Sequence, residues 1–214
     1  METKKHEVVL ELITKMLGTA PKDPEVYSAY VATKKAEFAK NIGRNAEAVV
    51  DETTDEEVGT LSKEVEERGW TGFHQDENGL FIYEYMVKGF FKTALEVLVE
   101  NGAIKKIPAY KKWIDRMVFI TPRRLYVGKM EPDGAKERPL RTMTPKGERV
   151  TLAKSDYLAE GTRLKFTVEV LKNTKGIEWE MIASCLEYGA YVGLGQWRGS
   201  GGYGRFEVVS ITAL

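Results

Sequence analysis

The chain has 214 residues, with 32 basic and 32 acidic side chains that cancel, 43% hydrophobic and 30% charged residues. This composition suits one folded domain with a sizeable core, and excludes a disordered tail or a coat that is basic over its whole surface. No apolar run approaches the ~20 residues of a membrane helix, and a single cysteine, Cys185, with two histidines supplies neither an internal disulfide nor a cysteine-rich zinc site.

The N-terminus passes from Met1 through His6 into Val8-Val9-Leu10 without a signal-peptide core. A cytoplasmic protein with no membrane partner and no cofactor is therefore expected. The neutral total hides an uneven distribution. Residues 51–68 hold eight acids and two bases, a balance of −6, whereas residues 105–149 hold thirteen bases and five acids, a balance of +8. Fields act locally, so a polyanionic partner remains compatible with zero net charge.

Val8 to Ile13 reads as a first strand, closed by Gly18 and Pro21. Asp23-Pro24 is a helix start, which predicts a helix over 24–40. The acidic stretch 51–68 has few large apolar residues and reads as an exposed insertion or linker helix. Trp70 to His74 and Leu80 to Tyr85 flank Asn78-Gly79, a hairpin signal. The period then changes: Val87, Phe90, Phe91, Ala94, Leu95 and Leu98 recur at helical spacing, and Asn101-Gly102 ends the segment.

Arg116 to Ile120 and Leu125 to Val127 read as strands around Thr121-Pro122-Arg123-Arg124, and 128–147 as a long loop or splayed hairpin. Leu164, Phe166, Val168 and Val170 alternate with polar residues in a half-buried strand. Trp179, Ile182, Ala183 and Leu186 mark a second amphipathic helix ending near Gly189, and Arg205 to Ile211 is a last strand. The order strand, helix, strand, strand, helix, strand predicts an α+β, ferredoxin-like (RRM-like) antiparallel sheet with two packed helices. One domain over 1–214 is expected, with insertions at about 20–86 and 128–160.

Seven glycines fall between Gly189 and Gly204, interleaved with Gln196, Trp197, Arg198, Tyr203 and Arg205. Such a segment lets a ligand approach main-chain N–H groups, and its side chains supply amide, stacking and phosphate-pairing chemistry. A tight turn with no ligand is the plainer alternative. Gly199-Ser200-Gly201-Gly202-Tyr203-Gly204 spells a dinucleotide fingerprint, but a helix precedes it and a strand follows, the reverse of what that motif needs.

Gly193-Leu194-Gly195, followed after six residues by Gly202-Tyr203-Gly204-Arg205-Phe206, resembles the C-terminal glycine-rich loop of the RAMP superfamily, the repeat-associated RNA-binding proteins of CRISPR effector complexes. Val87-Lys88-Gly89-Phe90-Phe91-Lys92 is similar to the segment that opens the first helix of that family. The six-residue spacer is one longer than the family pattern. The Gly-Gln-Trp-Arg ending also resembles that of uncharacterised phage and prophage proteins, which would place the chain in a host cytoplasm.

The resemblance implies RNA binding, and the reading taken is a single RAMP-like domain that binds single-stranded nucleic acid, RNA ahead of DNA, without catalysis because neither His6 nor His74 belongs to a recognisable catalytic pair. The candidate contacts are Lys88, Lys92, Arg123, Arg124, Arg138, Arg141, Arg149, Gly193, Gly195, Gln196, Trp197, Arg198, Gly202, Tyr203, Gly204 and Arg205, with Lys129 and Lys146 in the same basic stretch. The arginines are expected in turns and loops, reaching outward to phosphates. Two alternatives accompany this reading. One is a metal-independent endoribonuclease of RAMP type using His6 or His74; the other is a protein-interaction or self-assembling module that mimics a CRISPR backbone subunit. Clustered acids at 51–56 read as a solvated helix face and Cys185 as a packing residue, so no metal site or nucleophile is expected.

Overall fold

The computed structural model describes residues 2–22, 70–144 and 147–214, with the backbone alone over 139–152. The expected helix at 24–40, the acidic stretch 51–68 and Lys146 lie outside these residues. Two compact units divide the chain. One comprises Met1–Leu17, Phe81–Lys129 and Leu158–Leu214, and the other Gly18–Leu80 and Met130–Tyr157.

The strands are β1 (Thr3–Leu12), β2 (Met16–Leu17), β3 (Ala20–Pro21), β4 (Trp70–Gly72), β5 (His74–Asp76) and β6 (Gly79–Tyr83), followed by helices α1 (Glu84–Glu100) and α2 (Tyr110–Met117). Strands β7 (Val118–Thr121), β8 (Arg124–Tyr126), β9 (Gly134–Thr144), β10 (Gly147–Leu158) and β11 (Arg163–Leu171) lead to helix α3 (Trp179–Glu187) and strand β12 (Phe206–Ala213).

The first unit is built on a four-stranded sheet in the order β12-β1-β11-β7, with every neighbouring pair antiparallel. With α1 between β1 and β7, and α3 between β11 and β12, this is the ferredoxin-like arrangement that the element order predicts. Period-two alternation builds its inner face: Val8, Leu10 and Leu12 of β1 sit beside Leu164, Phe166, Val168 and Val170 of β11, all buried. Helix α1 covers that face with Val87, Phe90, Phe91, Ala94 and Leu95, and α3 with Ile182, Cys185 and Leu186. The Phe90 and Phe206 rings meet edge to face at 5.0 Å and close the core at the start of β12.

Residues Arg116 and Met117 are not in a strand as expected. They end helix α2, in which Tyr110, Trp113, Ile114 and Met117 recur at helical spacing and form its less exposed face, so the helical period runs on through the residues expected to open a strand. In the second unit, β9 and β10 pair over eleven positions from Gly147↔Thr144 to Tyr157↔Gly134, so the expected loop or splayed hairpin is a regular antiparallel ladder. β10 also pairs in parallel with β4, which pairs with β3. At its centre Asp156, 3% exposed, accepts the Trp70 indole N–H at 2.8 Å and an ion pair from Lys22 at 2.6 Å. The ammonium groups of Lys22 and Lys154 lie 4.3 and 3.8 Å from the Trp70 ring centroid. A buried carboxylate is tolerable here because it is paired and hydrogen-bonded.

Among the described residues no helix is long and apolar enough to cross a membrane, and no group of three or more His, Cys, Asp or Glu is placed to hold a metal ion.

Candidate nucleic-acid interface

The glycine-rich segment begins where α3 runs out. A single turn of tight helix over Tyr188–Ala190 follows it, and a second over Gly199–Gly201 precedes β12. Between them the chain is fastened to the segment after β1. Leu194 N–H donates to the Gly204 carbonyl at 2.9 Å, Gln196 N–H to Leu17 at 3.2 Å and Gly204 N–H to Lys15 at 2.8 Å. Arg205 N–H donates to the Thr14 hydroxyl at 2.9 Å, and Gly202 N–H to Gly199 at 2.9 Å.

Three of the expected contact glycines therefore serve backbone packing. A Cβ on Gly193 would lie 2.0 Å from the Gly204 carbonyl carbon, and one on Gly195 2.5 Å from the Leu17 oxygen. Gly204 would meet the Leu194 oxygen at 1.8 Å. Instead of an open cradle of N–H groups, the amides of residues 194, 196, 202, 204 and 205 are donated within the chain. What the segment offers outward is side chains. Trp197 is 44% exposed with φ 55°, Arg198 is exposed, and Tyr191, absent from the sequence reading, is 68% exposed. Tyr203 and Gln196 are half-buried. The Arg205 guanidinium sits beside Gly202, and its Nε is buried with no hydrogen-bond partner.

A second group gathers at the start of α1. Glu84 N–H donates to the Arg123 carbonyl at 3.0 Å, which joins the helix to the turn between β7 and β8. Arg123 lies 5.6 Å from the Tyr83 ring centroid and Arg124 5.2 Å from that of Phe81. Both rings are buried, so the guanidinium groups rest on a fixed aromatic layer. Tyr85, 43% exposed, stacks on Tyr83 at 5.3 Å.

Lys88 stands one turn further along α1, with its ammonium 5.5 Å from the ring of Phe119, which is 41% exposed. Burial holds the Lys88 ammonium below its ordinary value, against the pull of Asp115 and Glu84. Burial likewise raises the Glu84 carboxyl, with Arg123 opposing. Lys92 is ion-paired to Asp115 of α2 at 2.6 Å.

Strand directions relate these two groups. β1 and β7 both run antiparallel to the β11 between them, and β12 runs antiparallel to β1. The end of β7 and the start of β12 therefore point toward the same end of the sheet, three strand spacings of about 4.8 Å apart. The outer sheet face offers less. The register sets Glu7, Glu11, Glu169 and Glu207 there with Lys5, Arg163 and Lys165, and Arg163–Glu11 at 2.6 Å and Lys165–Glu7 at 3.0 Å are ion-paired.

Other expected contacts are placed differently. Arg138, Arg141 and Arg149 are not in turns or loops but in the β9–β10 ladder of the second unit, opposite Ala153, Val150 and Thr142. Lys129 donates to the Thr162 hydroxyl at 3.0 Å. His6 stacks face to face on Trp179 at 3.6 Å near the start of β1, away from the glycine-rich segment, and His74 is buried in the second unit.

Phe119 and Tyr85 were missed by the sequence reading. Phe119 had a legible signal, since it falls in the polar phase of the Val118-Phe119-Ile120-Thr121 alternation.

No protein-family model matches the sequence, and no curated protein matches it. A solved structure to which the chain is similar is a chain of the Type III-B Cmr-beta bound to cognate target RNA, with 11% identity and a TM-score of 0.49 over 100% of this chain and 61% of that one. The chain thus spans about three-fifths of the length of that solved chain.

Proposed function

We propose that the protein binds single-stranded nucleic acid, RNA in preference to DNA, through side chains at one end of its four-stranded sheet. The observation that carries this reading is the convergence of strand ends. The Arg123–Arg124 turn, Lys88 on α1 and the Trp197–Arg198 segment all belong to the same unit and to the same end of its sheet. Cations held on aromatic layers beside exposed rings suit a strand whose phosphates and bases are both accessible. The amides of the glycine-rich segment are spent on the fold, so its part is to hold Trp197 and Arg198 outward. The preference for RNA rests on the resemblance of the Gly193–Phe206 motif to RAMP loops.

The test is titration of labelled single-stranded RNA and DNA by fluorescence anisotropy at several salt concentrations. Binding should weaken with salt, and replacing Arg123, Arg124 or Arg198 by Ala should each lower affinity and reduce the slope of log K against log salt by about 0.7. Absence of salt-sensitive binding to any single strand overturns the proposal.

A further inference from the structure

A second cluster of cations stands at the end of the sheet remote from the Arg123–Arg124 turn. Val118 opens β7 beside Val170, near the end of β11, whereas Thr121 closes β7 beside Thr167. Three strand steps, about 10 Å, separate the two ends. Helix α2 enters β7 at the Val118 end, and residues Lys172 to Ile177 leave β11 there. The Asn173 side chain holds this loop. Its Oδ1 accepts the Lys175 N–H at 2.9 Å, and its Nδ2 donates to the carbonyls of Leu171 and Ile177 at 2.8 and 2.7 Å. The loop lies against α2, with the ammonium groups of Lys175 and Lys112 5.1 and 5.3 Å from the ring centroid of half-buried Trp113.

The charges at this end do not cancel. Lys4, Lys92, Lys111 and Lys172 are ion-paired with Glu180, Asp115, Glu96 and Glu2. Among the described residues no carboxylate pairs with Lys105, Lys106, Lys112, Arg116 or Lys175, all of them exposed. The unpaired acids nearby are Glu100, at the end of α1, and Glu178, just before α3, so five cations stand against two carboxylates. Lys112 and Arg116 are one turn apart on the same face of α2. Phe119 follows three residues later, with the Lys88 ammonium beside its ring. Unpaired cations and an exposed ring thus lead from the Lys112–Lys175 pair along β7 toward Arg123.

We propose that a single strand seated at the Arg123–Arg124 turn continues past Phe119 to Lys112 and Lys175, which hold its phosphates at the far end of the sheet. This rests on the single-strand reading above and adds a second contact to the same ligand. The surplus of unpaired cations calls for a polyanion. Two of them are steadied on an indole ring, so less side-chain freedom is lost when a phosphate arrives. A nucleic-acid strand suits the surface better than an acidic peptide because Phe119, exposed between the two cationic groups, offers a stacking face that a base can use and a carboxylate cannot. Trp113, flanked by ammonium groups, acts as their support, so the contact is made to the backbone and carries no base preference.

The test measures, by fluorescence anisotropy with the full chain, the affinity for labelled RNA strands from about three to about sixteen nucleotides long. Affinity of the native chain should rise as the strand becomes long enough to reach Lys112 and Lys175. The double variant Lys112→Gln/Lys175→Gln, at two exposed positions, should lose that gain with length. For the longest strand its slope of log K against log salt should fall by about 0.7 for each lysine removed. Arg123→Ala should weaken strands of every length instead. The control is Lys4→Gln/Lys172→Gln, which removes two ion-paired cations from the same end of the sheet. An equal loss in that control means that only the overall field matters and overturns the proposal. An unchanged length dependence in Lys112→Gln/Lys175→Gln overturns it too, as does saturation by two short strands per chain. Labelled polyglutamate that binds more tightly than RNA of equal charge, and is released by the same double variant, would assign the surface to an acidic protein segment. Binding that needs Arg123 and ignores Lys112 and Lys175 removes this inference alone, whereas absence of binding to any strand removes the single-strand reading with it.

Discussion

Gly193 and Gly204 lie backbone against backbone: a Cβ on Gly193 would fall 2.0 Å from the Gly204 carbonyl carbon, while the Gly204 oxygen accepts the Leu194 N–H at 2.9 Å. The glycine-rich segment is thus a packed crossing of two stretches of main chain, and its glycines divide by what surrounds them. Gly204 combines φ 69° with a clash against Leu194, whereas Gly199 has φ 74° and open space. Gly199→Ala should cost about 1–2 kcal/mol, the left-handed penalty alone. Gly204→Ala should cost about 2–5 kcal/mol, because overpacking adds roughly 1–3. Urea denaturation of the two variants compares them, and equal losses would contradict the crossing.

Glu84 gives a pH dependence of defined sign. Its carboxyl is raised above 4.5, chiefly by burial, and its Oε2 is buried without a hydrogen-bond partner. A raised folded-state pKa means that the unfolded chain loses this proton first. The stabilising contribution of the protonated group is full below the unfolded value and disappears as pH rises through the folded one. Glu84→Gln should therefore gain stability relative to the native chain at neutral pH, and the gain should shrink below pH 4.5. Thermal melts of both proteins across that range test this; a difference that grows on acidification reverses the assignment.

Cys185 should be chemically silent in the native state. Its thiol is fully buried and pushed up to about 12 by burial alone, so almost no thiolate exists at neutral pH. Its sulfur lies 3.9 Å from the Phe91 carbonyl oxygen, inside the contact between α1 and α3. A colorimetric thiol reagent should label it only at the rate of unfolding, and fast stoichiometric labelling of the folded chain would show that the α1–α3 contact opens.

What the sequence made legible follows from where periodicity is strong. β11, α1 and α3 bury one clean face each, so alternation and helical spacing reveal them and, with β1, fix the sheet's connectivity. α2 carries a stripe at Tyr110, Trp113, Ile114 and Met117, but it is only eight residues long, runs directly into β7, and its N-cap, Ala109 at φ 54°, has no capping side chain to mark where it starts. β9 and β10 escaped because long polar strands paired to each other need no apolar alternation in sequence. The glycine cluster was visible, but its purpose was not. Whether a glycine admits a ligand or a neighbouring main chain depends on Thr14–Leu17, which lie at the opposite end of the sequence and reach it only through the β1–β12 pairing.

Phe119 separates a binding role from a structural one. It is 41% exposed on an edge strand, and Val118 and Ile120 on either side carry the burial. Truncating it should therefore change stability little, within about 0.5 kcal/mol for a surface position. If a base stacks on this ring, Phe119→Ala should weaken single-strand binding by about 1–3 kcal/mol, as should Trp197→Ala at the other end of the proposed path. An oligonucleotide with an abasic residue distinguishes stacking from charge. Its affinity for the native chain should already be reduced, and the alanine variants should reduce it no further. The Lys88 ammonium beside the ring supplies a control: Lys88→Ala should lower affinity for normal and abasic strands alike, because a phosphate is present in both. Loss of binding in Phe119→Ala that is equally large for the abasic strand would make the ring a support for Lys88 and remove it from the base-binding surface.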